Sequence, residues 1–303
     1  MINFDAVIIG GGPAGASCAL WLKMLGFEPC IVERRTTLGG LQAESPYPND
    51  WIVSILGKTG KDVAADMHQH ILSHGIACRL GQTVVDARIN GQGFQVTTED
   101  AEVVSGKTLV LASGVRPVTG GLSAGKNVLI GPGDQVAAQD FASKRVAILG
   151  GGDNAFENYL FIRGKGAAEV HIFARSIRAR RSLADRVPAG DVQLGPYEVS
   201  SDQVMVGTRT YDLLVVLYGW EAYLPFIHVP ELERDRRGFV VTDQNCETTV
   251  TGLYAIGEVA QRMHPCCVTA MADGIVAAKD IQRRIDSGGH RTDWRLPYEV
   301  LPQ

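Results

Sequence analysis

Asp5-Ala6-Val7-Ile8-Ile9-Gly10-Gly11-Gly12-Pro13-Ala14-Gly15 runs an apolar strand straight into a glycine-rich turn and then into a helix. Gly10, Gly12 and Gly15 fit the G-x-G-x-x-G spacing. In that pattern the glycines permit a tight turn, close approach of backbone to a pyrophosphate, and close packing of helix on strand. The next apolar run, Cys30-Ile31-Val32, closes at Glu33, about 20 residues on, where an acid takes the ribose hydroxyls of an adenosine. Strand, turn, helix and acid together predict a dinucleotide-binding βαβ unit.

The pattern recurs. Val146-Ala147-Ile148-Leu149 leads into Gly150-Gly151-Gly152-Asp153-Asn154-Ala155, a G-x-G-x-x-A turn after a strand and before a helix. Two such units in one chain are far more specific than one. The following strand, Val170 to Phe173, ends in Ala174-Arg175 in place of an acid, with Arg178, Arg180 and Arg181 beyond it. Arginine there favours the 2′-phosphate of NADP over NAD. The plainer alternative is a solvated basic helix end.

Around these landmarks the pattern is α/β. Residues 13–25 carry Ala, Leu, Trp and Met at helical spacing, stopped by Gly26. Gly39-Gly40-Leu41-Gln42 opens a proline-interrupted loop with Tyr47, Trp51 and Ile52, which would lie against the ring in a flavoprotein and is otherwise a packed surface loop. Thr59 caps a helix through Ser73, with Val63, Met67 and Ile71 four residues apart and Gly75 at its end. From Cys78 to Val104 short alternating runs suggest an antiparallel meander, with Asn90-Gly91 as its hairpin signal. Thr108 to Leu111 is a strand ending at Ala112-Ser113-Gly114, and Pro117, Gly120 and Gly121 mark the first domain crossing. A second meander (192–206) and a strand (213–217) complete the second unit. Gly238 to Val241 and Gly252 to Ile256 read as strands, the latter running into Gly257-Glu258-Val259. His264-Pro265 then opens a helix, with proline in its first turn, continuing to Ile285 before a tail with Trp294, Pro297 and Tyr298.

Length and composition agree with this. At 303 residues the chain suits two domains, and 45% hydrophobic with 20% charged residues is ordinary for a globular protein. A net charge of -4 argues against general nucleic-acid affinity. No apolar run approaches the ~18 residues of a membrane helix, and the N-terminus enters a strand with no room for a signal peptide, so a cytoplasmic location is expected. Six cysteines (18, 30, 78, 246, 266, 267) without a C-x-x-C suggest neither a metal site nor a disulfide framework.

With both glycine turns placed, residues 3–285 resemble the low-molecular-weight thioredoxin reductase branch of the pyridine nucleotide-disulfide flavoproteins. The motifs stand in family order: Gly10 to Gly15 with Glu33, Gly39-Gly40, Ala112-Ser113-Gly114 with Pro117, Gly150 to Ala155 with Glu157, the arginines after Phe173, and Gly257-Glu258-Val259 before a helix. The resemblance implies an α/β fold of two Rossmann-like, three-layer β/β/α dinucleotide-binding domains. The FAD domain would be split (1–115 and 247–303), with the NAD(P) domain (116–246) inserted in it. It assigns to FAD Gly10, Gly12, Pro13, Ala14, Gly15, Glu33, Arg34, Gly40, Leu41, Gln42, Val85, Ala112, Ser113, Gly114, Gly257, Glu258, Pro265, Cys266 and Cys267. To NADP it assigns Gly150, Gly152, Asp153, Asn154, Ala155, Arg175 and Arg180. It also implies a homodimer.

Three departures limit the likeness. Where the family's redox C-x-x-C would stand, the chain reads Gly133-Asp134-Gln135-Val136. The C-terminal Gly-Asp is Gly257-Glu258, and Arg-Gln-Ala before the last helix is Pro265-Cys266-Cys267. The amides of that helix start are expected to face the flavin, where the helix dipole stabilises the reduced ring. A helix N-terminus also lowers a thiol pKa, so Cys266 and Cys267 are either a replacement redox pair or packing residues.

The expected activity is that of an FAD-dependent oxidoreductase, moving hydride from NADPH or NADH to FAD and on to an unidentified acceptor: a small disulfide, a redox protein or a quinone. Alternatives are a ferredoxin- or flavodoxin-NADP reductase of the thioredoxin-reductase type, with Trp294 or Tyr298 over the flavin, and a disulfide reductase using Cys266 and Cys267. The non-enzymatic reading is a nucleotide-binding redox sensor, or a chain whose second site holds another dinucleotide, even a second FAD, in place of a fast hydride donor.

Overall fold

A computed structural model describes residues 4–91 and 93–288; Trp294, Pro297 and Tyr298 lie outside them. Along the chain come β1 (Phe4–Ile9), α1 (Pro13–Met24), β2 (Pro29–Glu33), α2 (Gly60–Ser73), β3 (Ala77–Leu80), β4 (Val84–Asn90), β5 (Gly93–Thr98) and β6 (Val103–Leu111). Then follow β7 (Val115–Pro117), β8 (Val128–Ile130), α3 (Asp134–Ala137), β9 (Arg145–Leu149), α4 (Asp153–Gly164), β10 (Glu169–Ala174), α5 (Arg181–Ala184) and β11 (Val192–Leu194). The short β12 (Val199–Ser200), β13 (Met205–Val206) and β14 (Arg209–Thr210) precede β15 (Leu213–Val216), β16 (Trp220–Ala222), β17 (Leu253–Ala255) and α6 (Cys267–Asp286).

The described residues form two compact units, one running from residue 4 to 40, 63 to 114 and 224 to 288, the other of 41–62 and 115–223. In the first, β3, β2, β1, β6 and β17 pair in parallel. The long β6 belongs to two layers, because its N-terminal part also pairs antiparallel with β5, which pairs with β4 as a hairpin. This is the parallel sheet, antiparallel meander and helix arrangement of a three-layer β/β/α domain. In the second unit β11, β10, β9, β15 and β8 are all parallel. The two parallel sheets share one pattern but draw their last strand from opposite directions. The first unit's comes late in the chain, as β17, and the second unit's comes early, as β8, so one fold is inserted in the other.

Burial follows period. β2 is buried throughout and β1 at its last four positions, as parallel strands covered on both faces must be. Leu22 of α1 and Ile281 of α6 are fully buried in one core, and burying such a side chain contributes about 1.5–3 kcal/mol. The helix α6 meets α1 through small residues, Ala270, Gly274, Ala277 and Ala278. A methyl at Gly274 would stand 2.5 Å from the Ala14 carbonyl oxygen and 2.8 Å from the Cys18 amide nitrogen.

Several local expectations meet tertiary detail. Thr59 and Asp62 cap α2 reciprocally, the Thr59 amide donating to Asp62 Oδ2 at 2.8 Å and the Asp62 amide to Thr59 Oγ1 at 3.2 Å. Pro265 does not enter the first turn of α6: Cys266 is the N-cap and Cys267 the first helical residue. Residues 238–241 form no strand and only one bridge, Arg234 with Val240. The stretch 224–246 packs in the first unit, because the Ala87 amide donates to the Phe226 carbonyl at 2.9 Å and the Val240 amide to the Val259 carbonyl at 3.0 Å. No helix among the described residues is long and apolar enough to cross a membrane.

Candidate functional site

In the first unit the glycine turn is built by close backbone approach. Gly10 has φ +106°, and a Cβ there would lie 2.3 Å from the Ala112 carbonyl oxygen. A Cβ on Gly15 would lie 2.0 Å from the Gly10 carbonyl oxygen. Gly12 is the N-cap of α1 with no side chain capping it, and Pro13 follows. The amides of the first helical turn lack helical acceptors, and here no side chain of the cap covers them. Gly40, at φ +55°, brings its own backbone against Gly12: a Cβ on Gly40 would meet Gly12 Cα at 2.9 Å. Bare backbone drawn up to an uncapped helix N-terminus fits a pyrophosphate.

Glu33, 6% exposed at the end of β2, fits the adenosine end. Its Oε2 accepts the Gly11 amide at 2.7 Å and its Oε1 the Arg35 amide at 2.9 Å. These two bonds orient the carboxylate and leave each oxygen a lone pair for a ribose hydroxyl. Ala112, Ser113 and Gly114 follow β6, whose end closes on Gly10. Arg34 is exposed and Val85 half-exposed on β4. Leu41 and Gln42 group with the second unit, where Gln42 Oε1 accepts from Asn49 Nδ2 at 2.6 Å.

The turn at Gly257, φ +70°, packs beside the start of α1: its missing Cβ would come 2.9 Å from Ala14 Cβ. It is held by Asp273 of α6, which sequence reasoning missed. Asp273 is 3% exposed and lies on the helix's buried face. Its Oδ2 accepts the Gly257 amide at 3.1 Å and its Oδ1 accepts Arg262 Nε at 2.8 Å. The Arg262 guanidinium donates further to the Asp243 and Gln244 carbonyls. Burial pushes the Asp273 carboxyl upward, against the pull of the Gly257 amide and Arg262. A carboxylate at a position with helical-core spacing, between Ala270 and Ala277, is the signal that could have found it.

Glu258, next to Gly257, is pushed up by burial. Cys266 is exposed and caps α6, its sulfur accepting the Thr269 amide at 3.5 Å. Burial raises its pKa, but hydrogen bonds from the Thr269 hydroxyl and from the Thr269 and Val268 amides outweigh this, and the net shift is downward. Cys267 is pushed up to about 11 by burial and by the neighbouring Cys266 and Glu258. One thiol of the pair is thus exposed and acidified while the other is half-buried with its pKa raised. Pro265, just before the cap, is exposed.

The second glycine turn repeats the first by the same close approach. A Cβ on Gly150 (φ +146°) would lie 2.1 Å from the Leu217 carbonyl oxygen, and one on Gly151 2.1 Å from that of Ser176, while Gly152 has open space. Gly152 is the N-cap of α4, again without a side-chain cap; Asp153 and Asn154 open the helix and Ala155 is fully buried. Arg175 stands exposed at the end of β10. Arg180 bonds to Asp153 and Glu157. Among the described residues no group of three or more metal-ligating side chains converges.

Comparison with known proteins places the fold and the family. Thioredoxin reductase from Lactococcus lactis superposes with a TM-score of 0.79 over 94% of this chain and 100% of that one, at 20% identity. Ferredoxin–NADP reductase of Levilactobacillus brevis is 27% identical, covering 92% of this chain and 93% of its own. That of Orientia tsutsugamushi is 28% identical over 84% of each. The family model described as pyridine nucleotide-disulphide oxidoreductase matches residues 4–189 and 196–274, which contain both glycine turns, Glu33, Gly257 and Asp273. With two uncapped helix N-termini behind two glycine turns and that match along most of its length, the chain belongs to the pyridine nucleotide-disulphide oxidoreductase family.

Proposed function

We propose that the chain is an FAD-dependent oxidoreductase that takes reducing equivalents from NADPH, with NADH a weaker donor, and passes them to a redox protein without a C-x-x-C relay. The observation that carries it is the pair of backbone-lined helix N-termini, one beside the acid Glu33 and the other below Arg175. FAD, when bound, supplies the two-electron chemistry. The protein's own residues bind and orient. The Gly12 end of α1 would hold a pyrophosphate, Glu33 the adenosine ribose, and the Gly257 turn, fixed by Asp273, another part of the same cofactor. At the second turn the Gly152 end of α4 would hold the pyridine nucleotide and Arg175 its 2′-phosphate. A cytoplasmic homodimer is part of the same proposal.

The names of the Levilactobacillus and Orientia relatives support a redox-protein acceptor. The sequence supports it too, because the stretch Gly133-Asp134-Gln135-Val136 holds no thiol. A second reading is supported by the Cys266–Cys267 pair: its exposed, acidified member could attack a small disulfide.

Anaerobic stopped-flow separates the readings. Purified protein is expected to carry FAD and to bleach rapidly with NADPH, more slowly with NADH, and Arg175→Ala is expected to lower NADPH affinity about tenfold, the loss of a charge-assisted hydrogen bond. Protein that takes up no FAD, or whose flavin neither nucleotide reduces, would overturn the proposal. Titration consuming two electrons beyond those for FAD, lost in Cys266→Ala/Cys267→Ala, would move the disulfide reading ahead.

A further inference from the structure

Arg180 follows the strand end at which a 2′-phosphate would be read, and its guanidinium is already engaged. Nη1 donates to Asp153 Oδ2 at 3.1 Å and Nη2 to Glu157 Oε1 at 2.9 Å. Its backbone amide donates to the other Asp153 oxygen at 2.7 Å. The guanidinium carbon also lies 5.6 Å from the centre of the Trp51 ring. Both carboxylates come from the first two turns of α4, one beside the N-terminus that follows the second glycine turn.

The rest of the loop is knitted to the same place. The Arg178 and Ala179 amides donate to the Gly151 carbonyl at 2.7 and 3.0 Å. Arg180 therefore closes the 175–180 loop onto the start of α4. The loop also carries Arg175, Arg178 and Arg181, but a phosphate drawn to it would have to compete with both acids for the Arg180 donors. An isolated surface pair would yield easily, being worth about 0–1 kcal/mol. Here two hydrogen bonds and an aromatic face hold one side chain, and a third bond fixes its backbone. Arg175 differs: it is exposed and makes no ion pair among the described residues.

We propose that Asp153 and Glu157 withhold Arg180 from the nucleotide, so that Arg180 is a positioning residue and the two acids are negative determinants of NADPH specificity. This rests on the reading that the second unit binds a pyridine nucleotide. Discrimination then falls to Arg175, and neutralising the acids should strengthen it by freeing a second cation.

The test is calorimetric titration of the FAD-loaded protein with NADP+ and NAD+ at one ionic strength, with flavin content and thermal midpoint as folding checks. Asp153→Asn/Glu157→Gln is expected to raise the NADP+ over NAD+ affinity ratio about fivefold, the size of one exposed charge interaction. Glu157→Gln alone, away from the helix start, should raise it in the same direction. Adding Arg180→Ala to the double variant should remove the gain. In the parent, Arg180→Ala should weaken both nucleotides alike, with Arg180→Lys restoring part of the loss. An unchanged ratio in both acid variants would overturn the proposal. So would a tenfold drop in the ratio for Arg180→Ala in the parent, since Arg180 would then already be reading the phosphate. If neither nucleotide binds the parent, the reading of the second unit fails and the proposal with it.

Discussion

Glu33 accepts the Gly11 amide at 2.7 Å, so the acid that ends β2 is bonded to the middle of the glycine turn 22 residues earlier. One carboxylate thereby shapes the turn that would hold the phosphates and faces the place where the ribose would lie. If Glu33 also takes the ribose, as proposed, binding and folding are coupled through the same side chain.

Glu33→Ala is expected to lower FAD occupancy and to destabilise the flavin-free protein by about 2 kcal/mol, because the buried Gly11 amide loses a charge-assisted hydrogen bond. Flavin-to-protein absorbance ratios and urea unfolding measure the two effects. Full occupancy at unchanged stability would show that neither role exists.

Gly274→Ala should destabilise, although alanine is the better helix former by about 1 kcal/mol in an exposed helix. The added methyl would meet the Ala14 carbonyl and the Cys18 amide at contact distances no real Cβ adopts, so α6 must move off α1. Overpacking of this kind costs about 1–3 kcal/mol. A rise in the urea midpoint would contradict it.

The raised pKa of Glu258 predicts a pH dependence with a definite sign. Burial keeps its folded-state value above the ordinary 4.5, so above that pH the unfolded chain releases the proton more readily than the folded one, and stability falls as pH rises through the folded value. Glu258→Gln should therefore raise the melting temperature of flavin-free protein at neutral pH. The gain should vanish below about pH 4.5, where both states of the parent hold the proton. A gain independent of pH would assign the effect to packing.

Iodoacetamide at pH 8 should label Cys266 first. It is exposed and its pKa is lowered, whereas Cys267 is pushed up to about 11 and Cys30 and Cys246 to about 12 by burial. Peptide mass mapping against time reads the order. Equal labelling of Cys266 and Cys267 would mean that the helix start opens in solution.

Asp273→Asn keeps the size of the side chain but removes the charge that holds Arg262 and weakens the acceptor for Gly257. Because Arg262 is partly exposed, the cost should fall below the about 3–5 kcal/mol of breaking a fully buried pair, and it should fall also on flavin affinity, because the Gly257 turn is freed. Thermal unfolding and flavin release on dilution check the two effects. Unchanged flavin affinity would confine Asp273 to stability.

Much of this was open to sequence reading because it is local. The apolar runs before Gly10 and Gly150, the spacing of the glycines and the distance to Glu33 depend on backbone conformation and strand period, which near neighbours set. The two Rossmann-like units and their order followed from those signals repeated. The hairpin at Asn90-Gly91 and the Thr59 cap were legible for the same reason. Residues 238–241 were not, because a short apolar run does not say whether a neighbouring strand is available to pair with it, and here there is only a single bridge.

The sequence by itself determined the two glycine turns, the acid after the first, the arginines after the second and the absence of a C-x-x-C. Each is a property of a few adjacent residues or a fixed spacing. Only the tertiary structure decided that Asp273 holds the Gly257 turn, that 224–246 joins the first unit, that Cys266 caps α6 with Pro265 left outside it, and that Arg180 is spoken for by Asp153 and Glu157. These depend on which polar groups meet across distant segments, and a charged side chain's role is set by the partner that reaches it first.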